Sequence, residues 1–94
     1  MDNKLIVPVT LFALTNPIFL SEGPNESNTT TMIGTTTIEE LPIRITELAK
    51  NHNINDIVLY GEEDFLNPVK ENILTYSVSQ YKNNKLNISI EKGE

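Results

Sequence analysis

Cysteine is absent from the 94-residue sequence, and histidine and arginine each occur once. Without cysteine the chain can form neither a disulfide nor a thiolate-bound zinc site. The single histidine, His52, has no histidine, cysteine or paired-acid partner at a metal-binding spacing, and no Gly-x-Ser-x-Gly motif accompanies it. We therefore expect no catalytic residue, no metal and no cofactor, and we expect His52 to close a helix.

Basic residues are scarce: seven lysines and arginines oppose thirteen acidic residues, which gives a net charge of −6. Nucleic-acid binding draws its affinity from lysine and arginine side chains that neutralise phosphates. An acidic chain without a basic cluster is therefore not expected to bind nucleic acid directly. The charge favours solubility or a basic protein partner.

No apolar run is long enough to span a membrane. Residues 5–20 have the length of a signal-peptide core, but Pro8 and Thr10 interrupt them and no clear cleavage site follows. We expect a cytoplasmic protein in which residues 1–94 form one domain. Because a domain of this size buries little surface, self-association into a homo-oligomer is also expected.

The first part of the chain is typical of β-strands. Residues 4–14 are apolar and β-branched and predict a strand, in which Pro8 indicates an edge, a bulge or a later start. The Asn-Pro pair at residues 16–17 predicts a turn, and residues 18–21 predict a short return strand. A polar loop is expected at residues 22–28.

A threonine-rich third strand is predicted at residues 29–36. Residues 37–40, Thr-Ile-Glu-Glu, form a capping-box pattern ahead of a helical apolar stripe. Pro42 either distorts the first turn of this helix or marks where the regular helix begins. Asn51 and Asn53 are candidate stops.

The apolar run at residues 57–60, closed by Gly61, predicts a strand buried on both faces, as in a parallel βαβ unit. Acidic residues 62–64 are typical of a helix start, and the Asn-Pro pair at residues 67–68 predicts an N-cap with proline at the first helical position. After a turn at residues 82–85, the alternation at residues 86–90 predicts a half-exposed last strand.

The predicted order is β-β-β-α-β-α-β, an α/β domain with an antiparallel meander followed by two crossovers. This order resembles the ribonuclease H-like fold. Nucleases of that family hold metal with acidic residues, one of them in the first strand, but residues 4–14 contain no acid. Glu47 and Glu62 would then be remnants, and a degenerate hydrolase is the weakest of our hypotheses.

A second candidate function is binding of a nucleotide-like anion. A strand end at a helix start offers free N–H groups and hydroxyls, although Glu39 and Glu40 would repel a phosphate. A simpler interpretation is that the threonines build a strand and cap a helix. If a ligand site exists, the carboxyl ends of the strands predict its residues: Thr35, Thr36, Thr37, Gly61 and Glu62.

The leading hypothesis is a non-catalytic protein-interaction module. The abundance of Asn, Ile and Thr is typical of low-GC bacteria and their phages, so we expect a small phage-encoded inhibitor that acts by protein–protein binding. Exposed sheet edges at Pro8 and at the last strand would let copies pair. The predicted interface residues are two tyrosines and the last strand: Tyr76, Tyr81, Leu86, Ile88 and Ile90.

Overall fold

A computed structural model describes residues 3–24, 30–80 and 86–92. Its strands and helices are β1 (Lys4–Pro8), β2 (Ile18–Gly23), β3 (Thr31–Thr36), α1 (Leu41–Asn51), β4 (Asp56–Gly61), α2 (Glu63–Gln80) and β5 (Asn87–Lys92), with a short 3-10 helix at Leu11–Leu14. The predicted order of elements and the α/β class are confirmed. The predicted turn at residues 82–85, most of the loop at residues 22–28, and Thr29 lie outside the described residues. No helix in the described part of the chain is long and apolar enough to cross a membrane.

The five strands form one mixed sheet in the order β3-β2-β1-β4-β5. The meander β1-β2-β3 is antiparallel, whereas β4 runs parallel to both β1 and β5. β3 and β5 are the edges of the sheet and β1 is its central strand. The predicted edge position of the last strand is confirmed, and the edge expected from Pro8 is wrong.

Pro8 is accommodated because it stands at the end of β1. The N–H of Val9 donates to the carbonyl of Tyr60 at 2.8 Å. Since successive N–H groups of a strand point in opposite directions, the N–H that Pro8 lacks would face β2. Pairing with β2 covers only Lys4 to Ile6, so the proline removes no hydrogen bond from the ladder.

The predicted first strand, residues 4–14, is wrong beyond Pro8. Residues 11–14 form the 3-10 helix instead, with Ala13 buried and Leu11 and Leu14 exposed at 73% and 58%. An apolar run of this length is compatible with either structure. The proline ends the ladder, and the chain then leaves the sheet.

Helix α1 begins at Leu41, with Pro42 in its first turn. This confirms the alternative in which the regular helix begins near Pro42. His52 closes the helix as predicted: its N–H donates to the carbonyl of Leu48 at 2.9 Å. Asn53 then adopts a left-handed φ of 56°, and the N–H of Ile54 donates to the carbonyl of Ala49 at 2.8 Å. This is the Schellman arrangement that satisfies carbonyls at a helix end.

Helix α2 begins at Glu63, so the predicted start at residues 67–68 is wrong. The carbonyl of Glu62 accepts the N–H of Leu66 at 2.9 Å, and acidic side chains occupy the first turn, where they favour the helix dipole. Pro68 lies inside the helix and cannot donate to the carbonyl one turn earlier. The helix therefore has an additional turn ahead of the Asn-Pro pair, and this turn carries the fully buried Leu66.

The buried apolar side chains form one cluster between the sheet and the two helices. The helices pack against each other, and α1 covers β3 so closely that a Cβ on Gly34 would lie 3.4 Å from the Leu48 Cδ1 atom. Alternate strand residues supply the sheet's share of this cluster: Leu5, Val7, Leu20, Ile57, Leu59 and Ile88. The core therefore lies on one face of the sheet.

Candidate functional site: the open face of the sheet

The other face of the sheet carries no helix within the described residues. Ile6 is in register with Val58, and Val58 is in register with Ser89, so these side chains share the face opposite the core. Val58 is 1% exposed yet stands outside the core cluster. We call this surface the open face, and its apolar centre consists of Ile6, Pro8, Phe19, Met32, Val58 and Tyr60.

Two large apolar side chains of the open face are accessible to solvent. Phe19 is 54% exposed and Met32 is 60% exposed. Phe19 stands two residues from Ser21 on β2, and Ser21 is in register with Met32 on β3, with a shift of register between Leu20 and Ser21. Single exposed apolar residues are common on protein surfaces, whereas contiguous ones mark interaction sites. Ile6 on the central strand is half-buried and in register with Ser21, which therefore lies between Ile6 and Met32.

The apolar surface continues past the end of the sheet. A cavity of about 440 Å³ opens beside Pro8 and Phe19, and Ala13 and Pro17 contribute to its walls. The exposed leucines of the 3-10 helix, residues 11 and 14, follow in the chain. A large apolar side chain from a binding partner fits a cavity of this size and lining.

Charged residues stand only at the margins of the described open face. Lys4 and Asp56 are in register at one end, and Asp56 Oδ1 accepts a hydrogen bond from Asn87 Nδ2 at 3.3 Å. At the other end Glu91 is in register with Tyr60. An apolar centre with a polar rim is the usual composition of a protein–protein interface.

The predicted interface residues on β5 and α2 fall in different environments. Leu86 and Ile88 are buried in the core at 6% and 9% exposure, and Ile90 packs against the core while half-buried. Tyr76 is half-buried on α2, and Tyr81 lies outside the described residues. Core packing accounts for Leu86, Ile88 and Ile90, so the prediction that these side chains form an interface is wrong.

The three threonines of the predicted anion site take part in local structure. The hydroxyl of Thr36 donates to the carbonyl of Thr37 at 3.2 Å, and the hydroxyl of Thr37 accepts the N–H of Glu40 at 3.3 Å. The carbonyl of Thr35 accepts a hydrogen bond from Arg44 Nε at 3.3 Å. These contacts match the simpler interpretation of a strand end with local turn contacts. The predicted cap at Thr37 is wrong, because α1 begins at Leu41 and its N-cap is Glu40, without a side-chain cap hydrogen bond.

Gly61 and Glu62 lie at the same edge of the sheet but three strand positions away, about 14 Å from the end of β3. They line an open cavity of about 400 Å³ together with Glu63, Asp64 and Lys92. The acidic lining disfavours an anion. No group of three metal-ligating side chains occurs among the described residues. The anion site remains a prediction, and it would have to span both places.

Sequence reasoning missed Phe19 and Met32, although one signal for the open face was present. Apolar residues occupy both the odd and the even positions of β1 and β2, as in Leu5-Ile6-Val7 and Ile18-Phe19-Leu20. A strand with one face in water alternates apolar and polar residues, so a strand that is apolar on both parities indicates a second apolar surface.

No protein-family model matches the chain, and no curated protein matches it. Among solved structures it is similar to RuvC of T. thermophilus in complex with Holliday junction substrate, with a TM-score of 0.55 and 5% identity. The match covers 98% of this chain and 65% of the RuvC chain, so this chain spans less than two thirds of the length of RuvC. At this identity the likeness concerns the fold alone, and the fold of this chain is ribonuclease H-like.

Proposed function

We propose that this protein is a non-catalytic, cytoplasmic binding module that contacts a protein partner through its open face. The exposure of Phe19 and Met32 carries this proposal, because they are accessible on a sheet surface that no described helix covers. Burying such a patch contributes about 25 cal/mol for each Å² of apolar surface removed from water. An inhibitor that covers a partner's surface is one form of such binding.

The proposal is tested by photo-crosslinking at matched positions. We place p-benzoylphenylalanine at position 19 on the open face, or at position 78 on α2, where Val78 is 56% exposed. Irradiation of cells that make the protein is expected to give a discrete crosslinked protein from position 19 and none from position 78. A second copy or another protein as the product supports the proposal. Equal crosslinking at both positions, or none at position 19, contradicts it.

A hydrolase is the second candidate, because the fold is shared with RuvC, which was solved with a Holliday junction. Strand β1, Lys-Leu-Ile-Val-Pro, has no carboxylate to anchor the metal ions that the resemblance implies. Glu47 is exposed and pairs with Arg44 at 2.9 Å, and Glu62 lies beyond the end of β4. These positions support a binding role over catalysis.

We expect no cleavage of junction, duplex or single-stranded DNA or of RNA with Mg²⁺ or Mn²⁺. The variants Glu47→Gln and Glu62→Gln should be indistinguishable from the unmodified chain in a gel assay. Metal-dependent cleavage that disappears in Glu62→Gln, and persists in Glu39→Gln as a control at another exposed acid, would replace the binding role with a catalytic one.

A further inference from the structure

We propose that a second copy of this chain pairs with the outer edge of β5 in the antiparallel direction. The two five-stranded sheets then join into one continuous sheet, with a two-fold axis perpendicular to it at Ser89. This inference goes beyond the proposed function, because it concerns the edge of the sheet and leaves both open faces accessible.

One set of backbone hydrogen-bonding groups on β5 faces away from the sheet. The N–H of Asn87 donates to the carbonyl of Asn55, just before β4, at 2.8 Å. Successive residues of a strand direct their N–H and C=O groups to opposite sides. The odd-numbered residues of β5 therefore face β4, and the even-numbered residues, Ile88, Ile90 and Lys92, face outward. No strand of the described residues lies beyond them.

The other edge strand, β3, is less available for pairing. By the same alternation the carbonyl of Thr35 faces away from β2, and Arg44 Nε donates to it at 3.3 Å. The pairing of β3 with β2 also shifts register, as at a β-bulge. Proteins use such contacts and bulges to keep an edge strand from pairing with another chain. β5 keeps an unbroken register with β4 along its whole length.

The side chains of β5 select the register of the pairing. An axis at Ser89 places Asn87 opposite the partner's Glu91, and the Asn87 amide has a second N–H besides the one that bonds to Asp56. An axis one residue later would set the charged Lys92 against an apolar side chain of the core. An axis at Glu91 would set two carboxylates against each other, and an earlier axis would leave the end of the strand unpaired.

The same axis brings the two copies of α2 to a packing distance. α2 packs against both β4 and β5. With strands about 4.8 Å apart, a helix midway between them lies about 5 Å from the two-fold axis. The two helices are then about 10 Å apart, a distance at which helices pack. The half-buried Leu74 lines a cavity of about 440 Å³ beside β5, so helix surface adds to the strand edge.

Backbone hydrogen bonds, and not a large buried area, hold this dimer together. Ile88 and the partner's Ile90 form a hydrogen-bonded pair on each side of the axis, which gives about four bonds between the copies. The net charge of −6 on each copy opposes association. We therefore expect a weak dimer, populated above roughly 100 μM. Added salt should strengthen it, because salt screens the repulsion between the copies.

Sedimentation equilibrium of the purified 94-residue chain, from about 10 μM to about 1 mM, measures the dimer. Amide hydrogen exchange followed by NMR locates it. The N–H groups of Ile88 and Ile90 should exchange at least about twofold more slowly at 1 mM than at 50 μM, because only the monomer exposes them. The N–H groups of Asn87 and Ser89 already bond to β4, so their exchange should not depend on concentration.

Charge variants at Ser89 test the position of the axis, where each copy meets its own counterpart. Ser89 is exposed, so Ser89→Glu and Ser89→Lys leave the core unchanged. Each variant alone sets like charges against each other and should weaken the dimer at least about tenfold. An equal mixture of the two should form a heterodimer at least as tight as the unmodified dimer. Thr35→Glu, at an exposed residue of the other edge strand, is the matched control and should change nothing.

Three results would overturn the inference. The first is a chain that stays monomeric up to about 1 mM at high salt. The second is a dimer in which exchange at Ile88 and Ile90 is independent of concentration. The third is a mixture of the Ser89 variants that associates no more tightly than either variant alone, with circular dichroism confirming that both are folded.

Discussion

Replacing Gly61 by alanine is expected to lower the free energy of unfolding by about 3 kcal/mol or more, a large part of the stability of a domain of this size. Gly61 has a φ of 154°, a backbone conformation that residues other than glycine rarely adopt. A Cβ at this position would lie 2.3 Å from the carbonyl oxygen of Val9 and 3.3 Å from Leu66 Cδ1. The carbonyl belongs to the backbone just past the end of β1, so it cannot move out of the way as a flexible side chain could.

Gly34→Ala is the matched control, because it also adds one methyl group within a strand. Its Cβ would lie 3.4 Å from the flexible end of Leu48, and we expect a change below about 1 kcal/mol. Urea denaturation followed by circular dichroism measures both variants. A Gly61→Ala protein within 1 kcal/mol of the unmodified chain would show that the ends of β1 and β4 are farther apart than described.

The second large effect is expected at Leu20, which is fully buried beside the exposed Phe19 on β2. Leu20→Ala should lower the free energy of unfolding by about 3 kcal/mol, since it opens a cavity in the core. Phe19→Ala removes a larger side chain but should cost less than about 1 kcal/mol in the monomer. The difference between the stability losses of these two variants shows which face of the sheet packs against the core.

Both variants are compared by urea denaturation at low micromolar concentration, so that dimerisation does not add to either effect. A cost for Phe19→Ala equal to or above that for Leu20→Ala would mean that the open face is packed within the monomer. In that case the surface proposed for the partner would not be available.

The fold and the open face have separate origins in this chain. The ribonuclease H-like arrangement serves here as a frame, and function depends on the residues placed on it. β1 is the central strand of that frame, yet its side chains are apolar or basic, and its outward face forms the middle of the open face.

The errors in the predicted boundaries share one cause. Residues 11–14 and the Asn-Pro pair at residues 67–68 carry local patterns that fit more than one structure. The 3-10 helix forms because Ala13 enters the core, and α2 starts early because Leu66 is buried against the sheet. Burial against distant parts of the chain outweighed the local preference in both places.

The sequence by itself determined the order of the strands and helices along the chain, the end of α1 at His52 and Asn53, and the absence of a carboxylate from β1. These features depend on periodicity and turn residues within a few positions. Only the tertiary structure decided that β1 is central, that Thr37 and Gly61 stand apart, and that no helix of the described residues covers one face of the sheet. Each depends on pairing between distant residues, such as Ile6 with Val58, which no local pattern specifies.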